Sequence, residues 1–239
     1  MTDKVGMAFP LSRPPSLVIF DCDGVLVDTE QLANRLLARV LTEEGFPVTY
    51  EESRRLFVGK TMDAVSAHVV AETGCPMRAD WVDYIRNETL KAFAGGIEAI
   101  PGVRQVLETL QAHDVHYCVA SSGRFEKMRF TLGSSGLLPL VEDVLFSAEQ
   151  VGRSKPWPDL FLFAAKAMGH TPASCVVIED SVPGVQAAVA AAMPVLGYAG
   201  DPHTDAEGLK SEGAHVFHNM SDLMRLLGFS EGPHPTLSP

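Results

Sequence analysis

Two aspartates stand directly after a short apolar segment near the start of the chain. LVIF at 17–20 is followed by Asp21, Cys22, Asp23 and Gly24. Carboxylates attack electrophiles and transfer protons in many enzymes. Because side chains alternate along an extended chain, Asp21 and Asp23 are expected on one side, with Cys22 turned toward the interior. The pair predicts that one carboxylate attacks and the other handles protons.

Further polar groups follow three other apolar segments. They are Ser121 and Ser122 after HYCVA at 116–120, Lys155 after VLFS at 144–147, and Glu179 and Asp180 after CVVI at 175–178. Clustered carboxylates need protons or a cation, and oxygen ligands without histidine suit Mg²⁺. With Lys155 added, the site suits a phosphoryl group. Gly24 would let backbone amides approach the phosphate oxygens.

The apolar segments predict how these groups are brought together. They are short, continuous and separated by helical patterns at 103–113, 161–169 and 185–193, with a fifth segment, PVLG, at 194–197. This pattern is typical of buried strands in a parallel sheet with helices on both faces. Ligands of such sheets bind at the carboxyl ends of the strands. The sequence predicts an α/β fold with a Rossmann-like three-layer parallel sheet and its site at that edge.

Residues 31–98 interrupt this alternation with amphipathic helical patterns and no strong strand. They predict a small α-helical cap inserted after the first strand, with a catalytic core formed by 1–30 and 99–239. Both linkers would lie beside the Asp21 loop, so the cap could act as a lid. The cap segment VGKTM at 58–62 carries Lys60, a candidate for substrate specificity. A solvated surface lysine fits the sequence equally well.

Composition excludes several classes of protein. A formal net charge of −11 argues against nucleic-acid binding, and no apolar run approaches the roughly 20 residues that span a membrane. Four cysteines without a CxxC pair predict reduced, mostly buried thiols. The first residues do not read as a signal peptide, so a cytoplasmic protein is expected. We expect a small phosphorylated metabolite as partner, and a monomer or weak dimer.

The four polar segments resemble the ordered motifs of the haloacid dehalogenase superfamily. The matching segments are DCDGVLVDTE at 21–30, VASSG at 119–123, SKPWPD at 154–159 and VVIEDSVPGVQAA at 176–188. The insertion resembles the cap of the β-phosphoglucomutase-like branch. The resemblance implies an Mg²⁺-dependent phosphatase, and the pattern including YAGDPH at 198–203 is similar to bacterial sugar-phosphate phosphatases.

The same resemblance implies a role for each site residue. Asp21 would be the nucleophile that forms an aspartyl-phosphate, and Asp23 would protonate the leaving group and then activate water. Mg²⁺ would be held by the Asp21 carboxylate, the Asp23 backbone carbonyl and Asp180, with Glu179 nearby. The phosphoryl group would be held by Ser121 and Lys155, with Ser122 and Gly24 as further phosphate-binding residues.

Other reactions of the superfamily, and loss of catalysis, remain as alternatives. A β-phosphoglucomutase-like mutase is the nearest, but this chain has Ala33 where those mutases carry a histidine and Met62 where they carry an arginine. A haloacid dehalogenase would need neither Asp23 nor Mg²⁺. A phosphonatase would need a cap lysine such as Lys60 to form a Schiff base. A non-catalytic sugar-phosphate sensor would be expected to have lost Asp21, Asp23 or Lys155.

Overall fold

The computed structural model describes residues 9–57 and 60–229. The chain forms two compact units, a core of Met1–Val27 with Ala99–Pro239 and an insertion of Asp28–Glu98. The core contains a six-stranded sheet in the order β3-β2-β1-β4-β5-β6, and every neighbouring pair is parallel. The strands are β1 Leu17–Phe20, β2 His116–Ser121, β3 Leu145–Ser147, β4 Cys175–Glu179, β5 Val195–Tyr198 and β6 His215–Phe217.

Helices connect these strands, as a parallel sheet requires. The helices of the core are α5 Val103–Ala112, α6 Phe125–Ser134, α7 Leu138–Val141, α8 Asp159–Ala167, α9 Val182–Ala190, α10 Ala206–Glu212 and α11 Leu223–Leu226. Helices α8 and α9 pack their apolar faces against the buried strands of the sheet. The strand residues in this core include Leu17, Ile19, Val177 and Val195. The predicted α/β fold with a Rossmann-like parallel sheet is therefore confirmed.

Boundaries differ from the prediction in ways that concern the site. Ser121 and Glu179 are the last residues of β2 and β4, whereas we expected them in the following loops. Helix α9 begins at Val182, three residues before its apolar pattern, because the Ser181 side chain accepts a hydrogen bond from the Gly184 N–H and caps it. The edge strand β6 was missed, since three residues that begin with an exposed His215 carry little strand signal.

The described part of the insertion forms four α-helices joined by short loops. Its helices are α1 Thr29–Glu43, α2 Tyr50–Phe57, α3 Met62–Thr73 and α4 Trp81–Ala94. They enclose an apolar core that includes Leu41, Phe57, Val65 and Trp81. Asp28 caps α1 by accepting a hydrogen bond from the Gln31 N–H at 3.1 Å. The insertion follows β1, as predicted, and its unit begins at Asp28 where the sequence placed the cap from 31.

The four cysteines are free, and Cys22, Cys118 and Cys175 are buried while Cys75 is exposed. Within 9–57 and 60–229, no helix has the length and apolar character needed to span a lipid bilayer.

Candidate active site

The register of the sheet brings the ends of its three central strands to one edge. Phe20, the last residue of β1, pairs with Val119 on one side and with Ile178 on the other. The next residue, Asp21, continues the ladder by donating its backbone N–H to the Ile178 carbonyl at 2.9 Å. Asp21 therefore lies level with Ala120 and Glu179, although more than 90 residues separate these positions from it along the chain.

Lys155 connects these strand ends. Its Nζ donates to Oδ1 of Asp21, to Oε1 of Glu179 at 2.6 Å and to the Ala120 carbonyl at 3.1 Å. The side chain is only 5% exposed, and its Nζ lies 4.9 Å from the centre of the Phe161 ring. Burial works against the cation, but the two carboxylates outweigh it and hold the pKa of Lys155 above its usual value. Lys155 is therefore a buried, charged group in contact with Asp21.

Glu179 is fully buried and uses both carboxylate oxygens on protein donors. Oε1 accepts from Lys155, and Oε2 accepts from the backbone N–H groups of Asp180 and Ser181 and from the Ser181 hydroxyl, at 2.9–3.0 Å. Gly184 makes room for this carboxylate, because a Cβ there would lie 1.9 Å from the Glu179 Cδ. Glu179 is thus fixed at the N-terminus of α9. Its predicted part in binding a metal stays a prediction.

Gly24 and Asp180 are packed against each other. Gly24 has a φ of +80°, and a Cβ at this position would lie 1.9 Å from Oδ2 of Asp180. Both the backbone conformation and the close approach require glycine here. The Gly24 N–H donates to the Val27 carbonyl at 2.9 Å. The space left by the absent side chain is occupied by the Asp180 carboxylate. A contact between Gly24 and phosphate stays a prediction.

The loop after β2 is held by serine hydroxyls. Oγ of Ser121 accepts a hydrogen bond from the Gly123 N–H at 3.0 Å, and the residue is only 2% exposed. The Ser122 hydroxyl accepts one from Ser154 at 2.7 Å, which ties this loop to the loop that carries Lys155. Ser147 in β3 donates to the Gly123 carbonyl at 2.7 Å. The Ser122 hydroxyl therefore joins two loops, and its predicted contact with phosphate is untested.

Asp23 has a partner that sequence reasoning missed. Nζ of Lys127 donates to Oδ2 of Asp23 at 2.8 Å, with the lysine side chain 44% and the aspartate side chain 27% exposed. Lys127 is the third residue of α6. A cation in the first turn of a helix opposes the helix dipole, and this unfavourable placement is the sequence signal that could have indicated a specific partner.

The environment of Asp21 disfavours the ionised form of its carboxyl group. Burial raises the pKa of the Asp21 carboxyl to about 7, Lys155 opposes the rise, and the carboxylates of Glu179 and Asp23 add to it. Burial likewise raises the pKa of the intervening Cys22 thiol, which is turned inward as expected. The Asp21 carboxylate is therefore poorly solvated, and additional positive charge near it would stabilise the anion.

The donor set at this edge fits a hard divalent cation. Lys155 is paired with both Asp21 and Glu179, and Lys127 with Asp23, so three carboxylates share two lysines beside the Asp180 carboxylate. A divalent cation would offset this negative charge. No cluster of three His, Cys, Asp or Glu side chains forms a ready-made ligand set in the residues that the structure describes. Backbone carbonyls and water are also ligands of Mg²⁺, which commonly binds with one or two carboxylates.

Lys60 belongs to the other unit. Its side chain is exposed, and its Nζ lies 5.9 Å from the centre of the Phe57 ring. Its predicted role in substrate specificity stays a prediction.

Residues 18–198 match the family model of the haloacid dehalogenase-like hydrolases. The chain belongs to this family. It is also 34% identical over 187 residues to the 6-phosphogluconate phosphatase of Escherichia coli (strain K12), which covers 78% of this chain and 83% of that protein. The family thus accounts for the order of the four motifs, and the relative is a phosphatase.

Solved structures of the family share the fold. A hydrolase of the haloacid dehalogenase family from Deinococcus radiodurans R1, solved with bound phosphate and sodium, has a TM-score of 0.81 and 33% identity, and the match covers 88% of this chain and 93% of that one. A Thermotoga maritima protein solved as a candidate β-phosphoglucomutase has a TM-score of 0.76 and 27% identity, with coverage of 88% and 97%. The fold of this chain is therefore that of the haloacid dehalogenase-like hydrolases.

Proposed function

We propose that this haloacid dehalogenase-like hydrolase is an Mg²⁺-dependent phosphoric monoester hydrolase that acts on small phosphorylated metabolites, with sugar phosphates as the preferred class. The observation that carries the proposal is the convergence of Asp21, Ser121 and Lys155 at one edge of the sheet, with Asp21 and Lys155 in direct contact. A nucleophile, a hydroxyl and a buried cation are the groups that phosphoryl transfer requires. The phosphatase name of the E. coli relative supports the same reaction.

Asp21 would act as the nucleophile. An oxygen of its carboxylate would attack phosphorus, and the bond between phosphorus and the ester oxygen would break, which leaves an aspartyl-phosphate. Lys155 and the Ser121 hydroxyl would hold the phosphoryl oxygens during this step. Lys155 suits the task because its carboxylate neighbours keep it protonated and its burial keeps competing water away.

Asp23 would transfer the protons. It would donate one to the ester oxygen as that group leaves, and it would take one from the water that hydrolyses the aspartyl-phosphate. The side chain of Asp23 is 27% exposed and that of Asp21 is 10% exposed. This difference supports the division of roles, because the proton-transferring group must reach both the leaving group and water.

Mg²⁺ would be held by the Asp21 carboxylate, the Asp23 backbone carbonyl and the Asp180 carboxylate, with Glu179 nearby. When bound, the ion would supply positive charge to the phosphoryl oxygens. The protein contributes the positions of these groups: Gly24 leaves room for Asp180, and Gly184 leaves room for Glu179. Lys60 is the residue of the insertion that we expect to influence which substrate is preferred.

A panel of phosphate esters tests the proposal. Sugar phosphates, phosphorylated sugar acids, phosphoglycolate and nucleotides would be incubated with Mg²⁺, and released phosphate measured. We expect release from at least one sugar phosphate or sugar-acid phosphate, its loss with a chelator and its return with added Mg²⁺. Asp21→Asn is the matched inactive variant, since an amide does not attack phosphorus, and it should fold but form no base-labile phosphoenzyme.

Two outcomes would contradict the proposal. Asp21→Asn that releases phosphate at the wild-type rate would exclude Asp21 as nucleophile. With a hexose 1-phosphate and its bisphosphate as substrates, accumulation of the isomeric hexose phosphate without free phosphate would identify a mutase instead. Nuclear magnetic resonance of the ³¹P nucleus distinguishes the isomer from free phosphate in one reaction mixture.

A further inference from the structure

The ion pair between Lys127 and Asp23 joins two residues that lie far apart in the chain. Lys127 is in α6, Asp23 follows β1, and their side-chain atoms are 2.8 Å apart. The pair is partly exposed on both sides, and such pairs contribute little to folding stability. A stabilising role for the fold as a whole therefore does not explain this contact.

The position of Lys127 within its helix is unfavourable for a lysine. It is the third residue of α6, where the helix dipole presents its positive end. Side chains of a helix tilt toward its N-terminus, so the lysine stem runs back over the loop that precedes α6. The Asp23 carboxylate at the end of this path offsets the unfavourable position of the charge.

Three groups of the site meet beside Gly123. A Cβ at this position would lie 3.3 Å from the Ser121 Oγ, 3.6 Å from the Lys127 Cδ and 3.9 Å from the Asp23 Oδ2. The Lys127 stem, the Asp23 carboxylate and the Ser121 hydroxyl therefore all lie within 4 Å of one position. The Ser147 hydroxyl holds the Gly123 carbonyl from β3, which fixes the loop on which this arrangement depends.

We propose that Lys127 is a positioning residue. It holds the proton-transferring carboxylate of Asp23 beside Ser121 and the loop that follows β2. This inference rests on the proposed function, and it adds a residue to which no role in the reaction was assigned. In this proposal, Lys127 acts through Asp23 and not on the transferring group itself. The rate loss on removing Lys127 should consequently be larger for substrates whose leaving group depends more strongly on Asp23.

The leaving group of the substrate provides this measure. A sugar alkoxide leaves only if it is protonated, whereas p-nitrophenolate leaves with little assistance. In single-turnover experiments with Lys127→Met, we expect leaving-group release from a sugar phosphate to slow by about 10- to 100-fold, which is part of the roughly 10²- to 10⁴-fold that a positioned acid supplies. Release from p-nitrophenyl phosphate should slow by less than about threefold, and KM should stay nearly constant.

Two variants serve as controls. Lys127→Arg retains a cation that can reach Asp23, and it should recover most of the lost rate with the sugar phosphate. Lys166→Met removes an exposed lysine of α8 away from the site and should behave as wild type with both substrates. Thermal unfolding of each variant, measured by circular dichroism, would show that the folded state is retained.

A double-mutant comparison tests whether the effect passes through Asp23. In the Asp23→Asn background, adding Lys127→Met should slow leaving-group release no further, because the group that Lys127 positions is already absent. A further slowing there would overturn the inference, as would an equal loss for both substrates, a loss confined to KM, or no loss at all. These results would leave the proposed function standing, whereas a wild-type protein inactive on every ester would overturn both.

Discussion

The two ends of the parallel sheet of this haloacid dehalogenase-like hydrolase differ in how they treat charge. At the carboxyl end, Asp21, Glu179 and Lys155 are buried and in contact. At the amino end, the first residue of β2, His116, shares a 2.8 Å hydrogen bond with His170, and the Cys175 thiol donates to the Thr171 carbonyl at 3.1 Å. One end holds buried ion pairs, and the other holds the hydrogen bonds of a histidine pair and a thiol.

Charge is buried at the end of the sheet where the fold can support it. Helix N-termini and long loops meet at the carboxyl ends of parallel strands, so backbone N–H groups and distant side chains can support a buried carboxylate there. Glu179 shows this support directly, because its carboxylate accepts hydrogen bonds from two backbone N–H groups and from Lys155. Substitutions at the carboxyl end should therefore change activity and stability together, whereas those at the amino end should change stability alone.

The largest effect should follow removal of the buried cation. Lys155→Met leaves Asp21 and Glu179 buried without it, and loss of one partner of a buried ion pair typically costs about 3–5 kcal/mol of unfolding free energy. We also expect phosphate release to fall on the order of 10³-fold, since a preorganised charge at the phosphoryl group is lost. Denaturant unfolding and phosphate assays measure both. The exposed Lys166→Met should stay within about 0.5 kcal/mol of wild type.

Should Lys155→Met prove as stable as the wild type, the carboxylates of Asp21 and Glu179 would not depend on the lysine. The contrast between the two ends of the sheet would then be wrong in its main element.

An intermediate effect is expected at a pair of matched glycines. Gly24, at the carboxyl end, and Gly169, at the amino end, have φ values of +80° and +78°, but a Cβ at Gly24 would meet Asp180 whereas one at Gly169 would meet nothing within 4 Å. Gly169→Ala should lose about 1 kcal/mol from backbone strain and keep its activity. Gly24→Ala should lose about 1–3 kcal/mol more, because Asp180 must move.

The dependence of phosphate release on Mg²⁺ concentration sharpens this test. Gly24→Ala should need more Mg²⁺ for half-maximal activity, and Gly169→Ala should need the same amount as the wild type. Equal stability losses in the two variants would indicate that Asp180 moves aside without cost, and that the close packing at Gly24 has no consequence for the site.

The smallest effect concerns the histidine pair. Burial, with a smaller contribution from His116, lowers the pKa of His170 below its ordinary value of 6.5. A lowered pKa means that the unfolded state takes up the proton first as the pH falls. The contribution of His170 to the free energy of unfolding is therefore fully present above about pH 6.5 and is lost as the pH drops below that value. Unfolding measured from pH 7.5 to 5.5 should show a shallower decline for His170→Gln. An unchanged slope would remove the pair as a pH-sensitive contact.

Much of the architecture was predictable because the signals were local. Short apolar segments such as LVIF and CVVI indicate buried strands, and polar residues that follow them indicate the functional edge of a parallel sheet. The same reasoning placed Asp21, Ser121 and Glu179 at one edge, where the sheet register brings their strand ends together. The four ordered motifs identified the family because their spacing covers most of the chain.

The contacts between the groups of the site follow from packing in three dimensions. The sequence could not show that Glu179 uses both oxygens on protein donors, that Ser122 bonds Ser154, or that Lys127 reaches Asp23, since each contact joins loops or strands whose relative position depends on packing. The glycines are the clearest case. The sequence predicted a phosphate contact for Gly24 and no role for Gly184, and only three-dimensional proximity shows that each makes space for a carboxylate. Residue types and order determined the chemistry available to this protein, and close packing determined which partner each charge received.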